Sequence, residues 1–187
     1  MIINLHGFTG HGANSKYDWL KANLPNQPIF APDLDYKKET PERIFGFLEE
    51  KVRSFLANPA ISEVAILGSS LGAFFARSLN IVFPMITTVL INPALAPFIT
   101  LRGLVDSRAY LALFARLTFL DDDLLAESLK LHLIIGDQDE LINHEVLTKP
   151  LLPPNLTNIH VIKGGTHRLR LTPEVGAILK DRLPKVA

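Results

Sequence analysis

Six short apolar runs recur along the chain: "MIINL" (1–5), "PIFA" (28–31), "VAILG" (64–68), "TTVLI" (87–91), "LHLIIG" (131–136) and "IHVI" (159–162). Longer stretches of helical spacing separate them. Most of the runs are continuous rather than alternating, which is the pattern of strands covered on both faces of a sheet. Parallel strands cannot be joined by tight turns and need long crossovers, usually helices. The spacing predicts helices over about 14–24, 41–57, 71–83 and 173–182. In the second, Ile44, Phe47, Leu48, Phe55 and Leu56 form a one-face stripe. Thr40 and Thr172, each followed by proline, read as N-caps with proline at the first helical position. The alternation predicts an α/β fold: a mostly parallel, doubly wound sheet of about six strands with helices on both faces.

At 187 residues the chain suits a single domain, 1–187, with enough length to bury a core without staples. One stretch breaks the rhythm. From Pro97 to Lys130 no strand signal appears, yet the segment has helical character, and it is too long for a bare connector. It follows a strand's carboxyl end, the edge where α/β sheets place ligands. We read residues 97–130 as a short helical lid; an ordinary crossover helix with extra turns is the alternative. Leu111, Leu113, Phe114 and Leu117 in it suggest a small, apolar substrate group.

A further feature is "GSSLG", residues 68–72, at the junction of the run 64–68 and the helix 71–83. It matches G-x-S-x-G with Ser70 central, in the strand-to-helix setting that a nucleophile elbow requires. A turn this tight leaves no room for side chains two residues before or after the serine, and glycine removes the clash. The N–H of Leu71 then points to where an oxyanion would form. Ser69 sits one place early and is expected to face the packing. The plainer alternative is that both serines merely cap the helix.

A serine hydroxyl needs a base, and the base an orienting acid. In this setting they follow in the order Ser, Asp or Glu, His. His167 follows the last strand behind two glycines and is the candidate base. His132 and His160 lie in strands and read as structural, His144 as an exposed helix start, and His11 as too early. Asp137, Asp139 and Glu140 crowd after Gly136; Asp139 is preferred and Asp137 is its rival. After the first strand, "LHGF" places the N–H of Phe8 as a second oxyanion donor, Gly7 as a point of close approach and His6 as a residue that shapes the loop.

Together, "LHGF", "GSSLG", "GDQDELI" and "GGTH" resemble the α/β-hydrolase superfamily over nearly the whole chain, and more narrowly its small bacterial YqiA-like esterases, which share "NPA" as in 92–94. The resemblance implies Ser70 as nucleophile, Asp139 as acid and His167 as base. It implies a serine carboxylesterase; a thioesterase, an acyltransferase or a non-catalytic binding protein on the same scaffold remain alternatives. Ala73 stands where the family often has a further glycine, and the chain begins directly at the H-G strand, so the sheet should be small.

Composition excludes other classes. Nineteen basic and nineteen acidic residues balance, unlike the basic excess of nucleic-acid binders. There is no cysteine, hence no disulfide, thiolate metal site or cysteine nucleophile. The six histidines show no metal-ligand spacing, and "GHGANS" fails both the dinucleotide and the P-loop patterns. No cofactor is expected. The partner is a small-molecule ester, with no nucleic acid and no membrane. With no leader pattern and no long apolar run, a cytoplasmic protein is expected.

Overall fold

The computed structural model describes residues 1–121 and 130–184. Six strands form one sheet: β1 (Ile2–Leu5), β2 (Ile29–Phe30), β3 (Ala65–Ser69), β4 (Thr87–Ile91), β5 (Leu131–Gly136) and β6 (Ile159–Ile162). Their order is β2-β1-β3-β4-β5-β6, and every neighbouring pair is parallel. The predicted runs and the observed strands agree to within a residue or so.

The helices are α1 (Ser15–Asn23), α2 (Pro41–Ala57), α3 (Leu71–Val82), α4 (Pro97–Thr100), α5 (Ser107–Asp121), α6 (His144–Leu147) and α7 (Pro173–Arg182), with a 3-10 turn at Lys149–Leu151. Thr40 and Thr172 cap α2 and α7 through their hydroxyls, as the sequence predicts. Alternate strand residues feed two cores. Ile3, Ile66, Leu90 and Leu133 pack beneath α2, α3 and α5. Ile2, Leu67, Val89 and Ile134 pack against Leu20 of α1 and against Val175 and Leu179 of α7. Both faces of the sheet are therefore covered, which is why its strands read as unbroken apolar runs.

Two expectations about packing change. In α2 the buried positions are Ile44, Phe45, Leu48 and Val52, whereas Phe47 and Leu56 are 40% and 50% exposed. Phe47 lies about a third of a turn from the centre of the buried arc, and Leu56 sits in the last turn. In the segment 97–130, Leu113 and Leu117 point into the core, Phe114 meets Phe98 with ring centroids 5.5 Å apart, and Leu111 is exposed. Leu113, Phe114 and Leu117 hold α5 to the body. The remainder of that segment, 122–129, lies outside the described residues.

The strand order fixes where a site can form. From β1 the chain steps outward to β2, then returns to β3 on the other side of β1. The loops leaving β1 and β3 therefore part in opposite directions, and a crevice opens between them at the carboxyl edge.

Candidate active site

Ser70 occupies the bend between β3 and α3 with φ 53° and ψ −120°. A non-glycine residue there costs about 1–3 kcal/mol, so its surroundings must hold it. Its N–H donates to Ile91 O at 3.0 Å, and its carbonyl accepts from Ala73 N at 3.0 Å and Ala94 N at 3.1 Å. The flanking glycines make the bend possible. A Cβ on Gly68 would lie 2.6 Å from Ala76 Cβ, and one on Gly72 2.4 Å from the carbonyl oxygens of both Leu5 and His6. Ser69 is half-buried and borders the same cavity as Ser70.

His167 comes from the loop after β6. Its Nε2 lies 3.0 Å from Ser70 Oγ, and its Nδ1 lies 2.9 Å from Asp139 Oδ2 and 3.1 Å from Oδ1. Asp139 Oδ1 also accepts the N–H groups of Leu141 and Ile142, each at 2.9 Å. Burial opposes ionisation of Asp139, but the hydrogen bonds from His167 and the two amides outweigh it and hold its carboxyl below the usual range. Asp137 does not meet the ring; its Oδ1 accepts from Gly164 N at 2.6 Å. Glu140 accepts the His167 N–H at 3.0 Å. The three crowded acids thus have three separate tasks.

Sequence reasoning missed two residues. Asn92, at the end of β4 with φ 41°, donates from Nδ2 to Thr166 O at 2.8 Å and His167 O at 3.0 Å, and accepts from Gly136 N at 2.8 Å. It ties the histidine loop to the end of β5. His144 does open a helix, but it is buried at 6% exposure instead of exposed, with Nε2 2.9 Å from Asp139 Oδ2. The "NP" after β4 was the one trace of Asn92 in the sequence; His144 left none.

The loop after β1 closes the other side. His6 Nε2 accepts from Leu34 N at 2.9 Å, so its proton sits on Nδ1, 2.8 Å from Gly7 O. Burial lowers the pKa of His6 and keeps the ring neutral. Tyr36 OH donates to His6 O at 2.7 Å. Gly7 packs directly on Ser70, where an added Cβ would be 3.1 Å from Ser70 Cβ. Leu71 opens α3, so its N–H has no partner within the helix.

A cavity of about 830 Å³ surrounds Ser70 and His167. Phe8, Trp19, Leu101, Leu104 and Leu141 give it apolar walls. Lys16, Arg168 and Arg170 also line it, and no aspartate or glutamate does among the described residues.

A model of an uncharacterised protein family, UPF0227, matches residues 1–175. No curated protein sequence matches the chain. Solved structures do. Est1E from Butyrivibrio proteoclasticus, with ferulic acid bound, has a TM-score of 0.70 at 18% identity, over 96% of this chain and 86% of that one. The monoacylglycerol lipase of Paleococcus ferrophilus gives 0.64 at 14% identity, over 94% and 89%. MGS-MChE2, an α/β hydrolase from the metagenome of lagoon sediments at Mar Chica, Morocco, gives 0.61 at 20% identity, over 96% and 88%. These likenesses cover 94–96% of the chain, so the fold is that of the α/β-hydrolases.

Proposed function

The chain belongs to the uncharacterised protein family UPF0227, and from that membership, the fold and the site geometry we propose that it is a serine carboxylesterase. The observation that carries this reading is the hydrogen-bonded line from Asp139 through His167 to Ser70, drawn from three separate loops. The 3.0 Å leg from Ser70 Oγ to His167 Nε2 suits proton transfer, and the 2.9 Å leg from His167 Nδ1 to Asp139 suits orientation of the ring. In the proposed reaction His167 Nε2 takes the Ser70 proton as Oγ attacks the ester carbonyl. The oxygen of the tetrahedral intermediate accepts the N–H groups of Phe8 and Leu71. His167 then protonates the leaving alcohol, and a water, activated by the same ring, releases the acyl group from Ser70. Asp139 keeps the His167 proton on Nδ1, which leaves Nε2 free to accept.

The cavity lining supports a substrate class. Its walls favour a small apolar ester, and three basic side chains without an acid oppose a cationic one. An ester with an apolar arm and a neutral or anionic end fits best. Ferulic acid, which Est1E binds, is not an ester but has the shape of such an acyl group, with an aromatic arm and a carboxylate end. Thr100, Leu101 and Leu104 reach the cavity from the segment 97–130, in keeping with a lid there.

A fluorophosphonate probe with peptide mapping tests the assignment, together with p-nitrophenyl esters of increasing acyl length. The expected label is on Ser70, and Ser70→Ala abolishes both labelling and turnover. Labelling at another residue, or full turnover by Ser70→Ala, would overturn the reading. Faster cleavage of the matching thioesters, or product that depends on an added alcohol or amine, would redirect it to a thioesterase or an acyltransferase.

A further inference from the structure

Asp139 carries a second imidazole. His144 Nε2 lies 2.9 Å from its Oδ2, the oxygen that His167 Nδ1 also approaches at 2.9 Å. The hydrolysis proposed above makes no use of His144. An imidazole this deep needs a reason, because an aliphatic side chain would fill the space with no polar group to satisfy.

Counting donors supplies one. An ionised carboxylate offers about four acceptor positions. Leu141 N and Ile142 N occupy Oδ1, His167 Nδ1 approaches both oxygens, and His144 fills the remaining side of Oδ2. The side chain of Asp139 is 1% exposed, so water has no access to replace a missing donor. Burial lowers the pKa of His144 against the opposing pull of Asp139, which leaves a ring with one N–H at neutral pH. An ionised carboxylate can only accept, so that proton sits on Nε2. Nδ1 then accepts from the Thr148 hydroxyl at 2.9 Å. The same hydroxyl lies 3.1 Å from Pro93 O and serves one acceptor at a time.

We infer that His144 is a positioning residue of the hydrolytic site: its Nε2–H holds the Asp139 oxygen that faces His167 and moderates that carboxylate's basicity. The inference rests on the esterase reading for its kinetic consequences only. The charged groups nearby are accounted for. From α6, Glu145 pairs with Lys149. From the acid loop, Glu140 accepts the His167 amide and Asp137 the Gly164 amide. From the loop after β6, His167 itself faces Asp139.

The test compares His144→Leu, which removes the donor, with His144→Gln, whose amide can present an N–H to the same oxygen. Kinetics on p-nitrophenyl butyrate across pH are paired with ring spectra of the protein labelled with 15N-histidine. The spectra should show His144 as the Nε2–H tautomer at pH 7. His144→Leu should lower kcat about tenfold with KM within about twofold. It should also move the acid limb of kcat/KM up by about 0.5 pH unit, because a carboxylate short of one donor stabilises an imidazolium more strongly. His144→Gln should restore most of both. An unmoved acid limb and unchanged kcat in His144→Leu would mean packing alone, and a proton found on Nδ1 would also overturn the inference. Should His144→Leu fail to fold, a tenfold loss in His144→Gln counts against it and near-normal kinetics count for it. If the wild-type protein takes no fluorophosphonate label, the esterase reading falls, and the ring spectrum still judges His144.

Discussion

A single methyl group at position 72 should disable the site without touching a reacting atom. A Cβ on Gly72 would meet the carbonyl oxygens of Leu5 and His6 at 2.4 Å, and ordinary contact begins at 3.4 Å, so the gap must open by about 1 Å. Neither side can yield cheaply. The struck atoms are backbone at the end of β1, which is bonded to strands on both sides, and α3 is buried along nearly its whole length. Each proposed oxyanion donor rides on one of the two parts forced apart: Leu71 N–H on α3, and Phe8 N–H two residues beyond His6. A misplacement of about 1 Å can cost about 100-fold in rate. Losing one oxyanion donor costs about 100- to 1000-fold. We therefore expect Gly72→Ala to lower kcat by at least about 100-fold, and the overpacking to cost about 1–3 kcal/mol of stability. The assay is turnover of a p-nitrophenyl ester and the fluorophosphonate labelling rate, on protein whose folding is checked by thermal melting. Gly46→Ala is the control. It lies in α2 with nothing within 4 Å of an added Cβ, and it should keep full activity and gain up to about 1 kcal/mol of helix stability. Gly72→Ala with wild-type melting and kcat within twofold would refute the close-approach argument.

The neighbouring acids should separate cleanly. Asp139→Asn should lower kcat by about 10,000-fold by favouring the wrong His167 tautomer, while Asp137→Asn, whose carboxylate accepts the Gly164 amide, should stay within a few-fold; equal losses in the two would contradict the assignment. Acid should weaken the fold through His132 on β5. Burial, with the charges of Arg182 and His160, lowers its pKa from 6.5 to about 4 against Asp181. The folded chain therefore prefers the neutral ring. The associated stability is intact above about pH 6.5 and is lost as the pH falls toward about 4, on the order of 3 kcal/mol in all. Denaturant melts of wild type and His132→Leu across that window should diverge by this amount, and parallel curves would show that His132 is not the cause.

The parts of the molecule legible in the sequence are those whose chemistry restricts their own backbone. The strands read as apolar runs because both faces of the sheet are covered. Ser70 was visible because its φ of 53° and the tight approach of β1 demand glycines at 68 and 72, and those glycines stand in the sequence beside it. His167 was flagged the same way by Gly164 and Gly165, the first of which has φ 70°. Asp139 was only half legible: what separates it from Asp137 is where Gly164 places its N–H, a fact about the loop after β6, more than twenty residues away.

Asn92 and His144 leave no such local mark, because they act on other segments through their side chains. Asn92, with φ 41° before Pro93, marks a turn, but nothing in that turn says its side chain spans to the histidine loop; His144 alters neither the periodicity nor the turn chemistry of its own stretch. The apolar side chains of α5 misled for the same reason: their spacing says that one face is buried, and only the position of α3 says against what. In this fold, then, the proposed reacting groups announce themselves through the glycines that make room for them, and the residues proposed to aim those groups become visible only once the sheet has brought the loops together. His144 tests that distinction, since its proposed effect reaches Ser70 only through Asp139 and His167 and should surface in the pH profile before it surfaces in substrate binding.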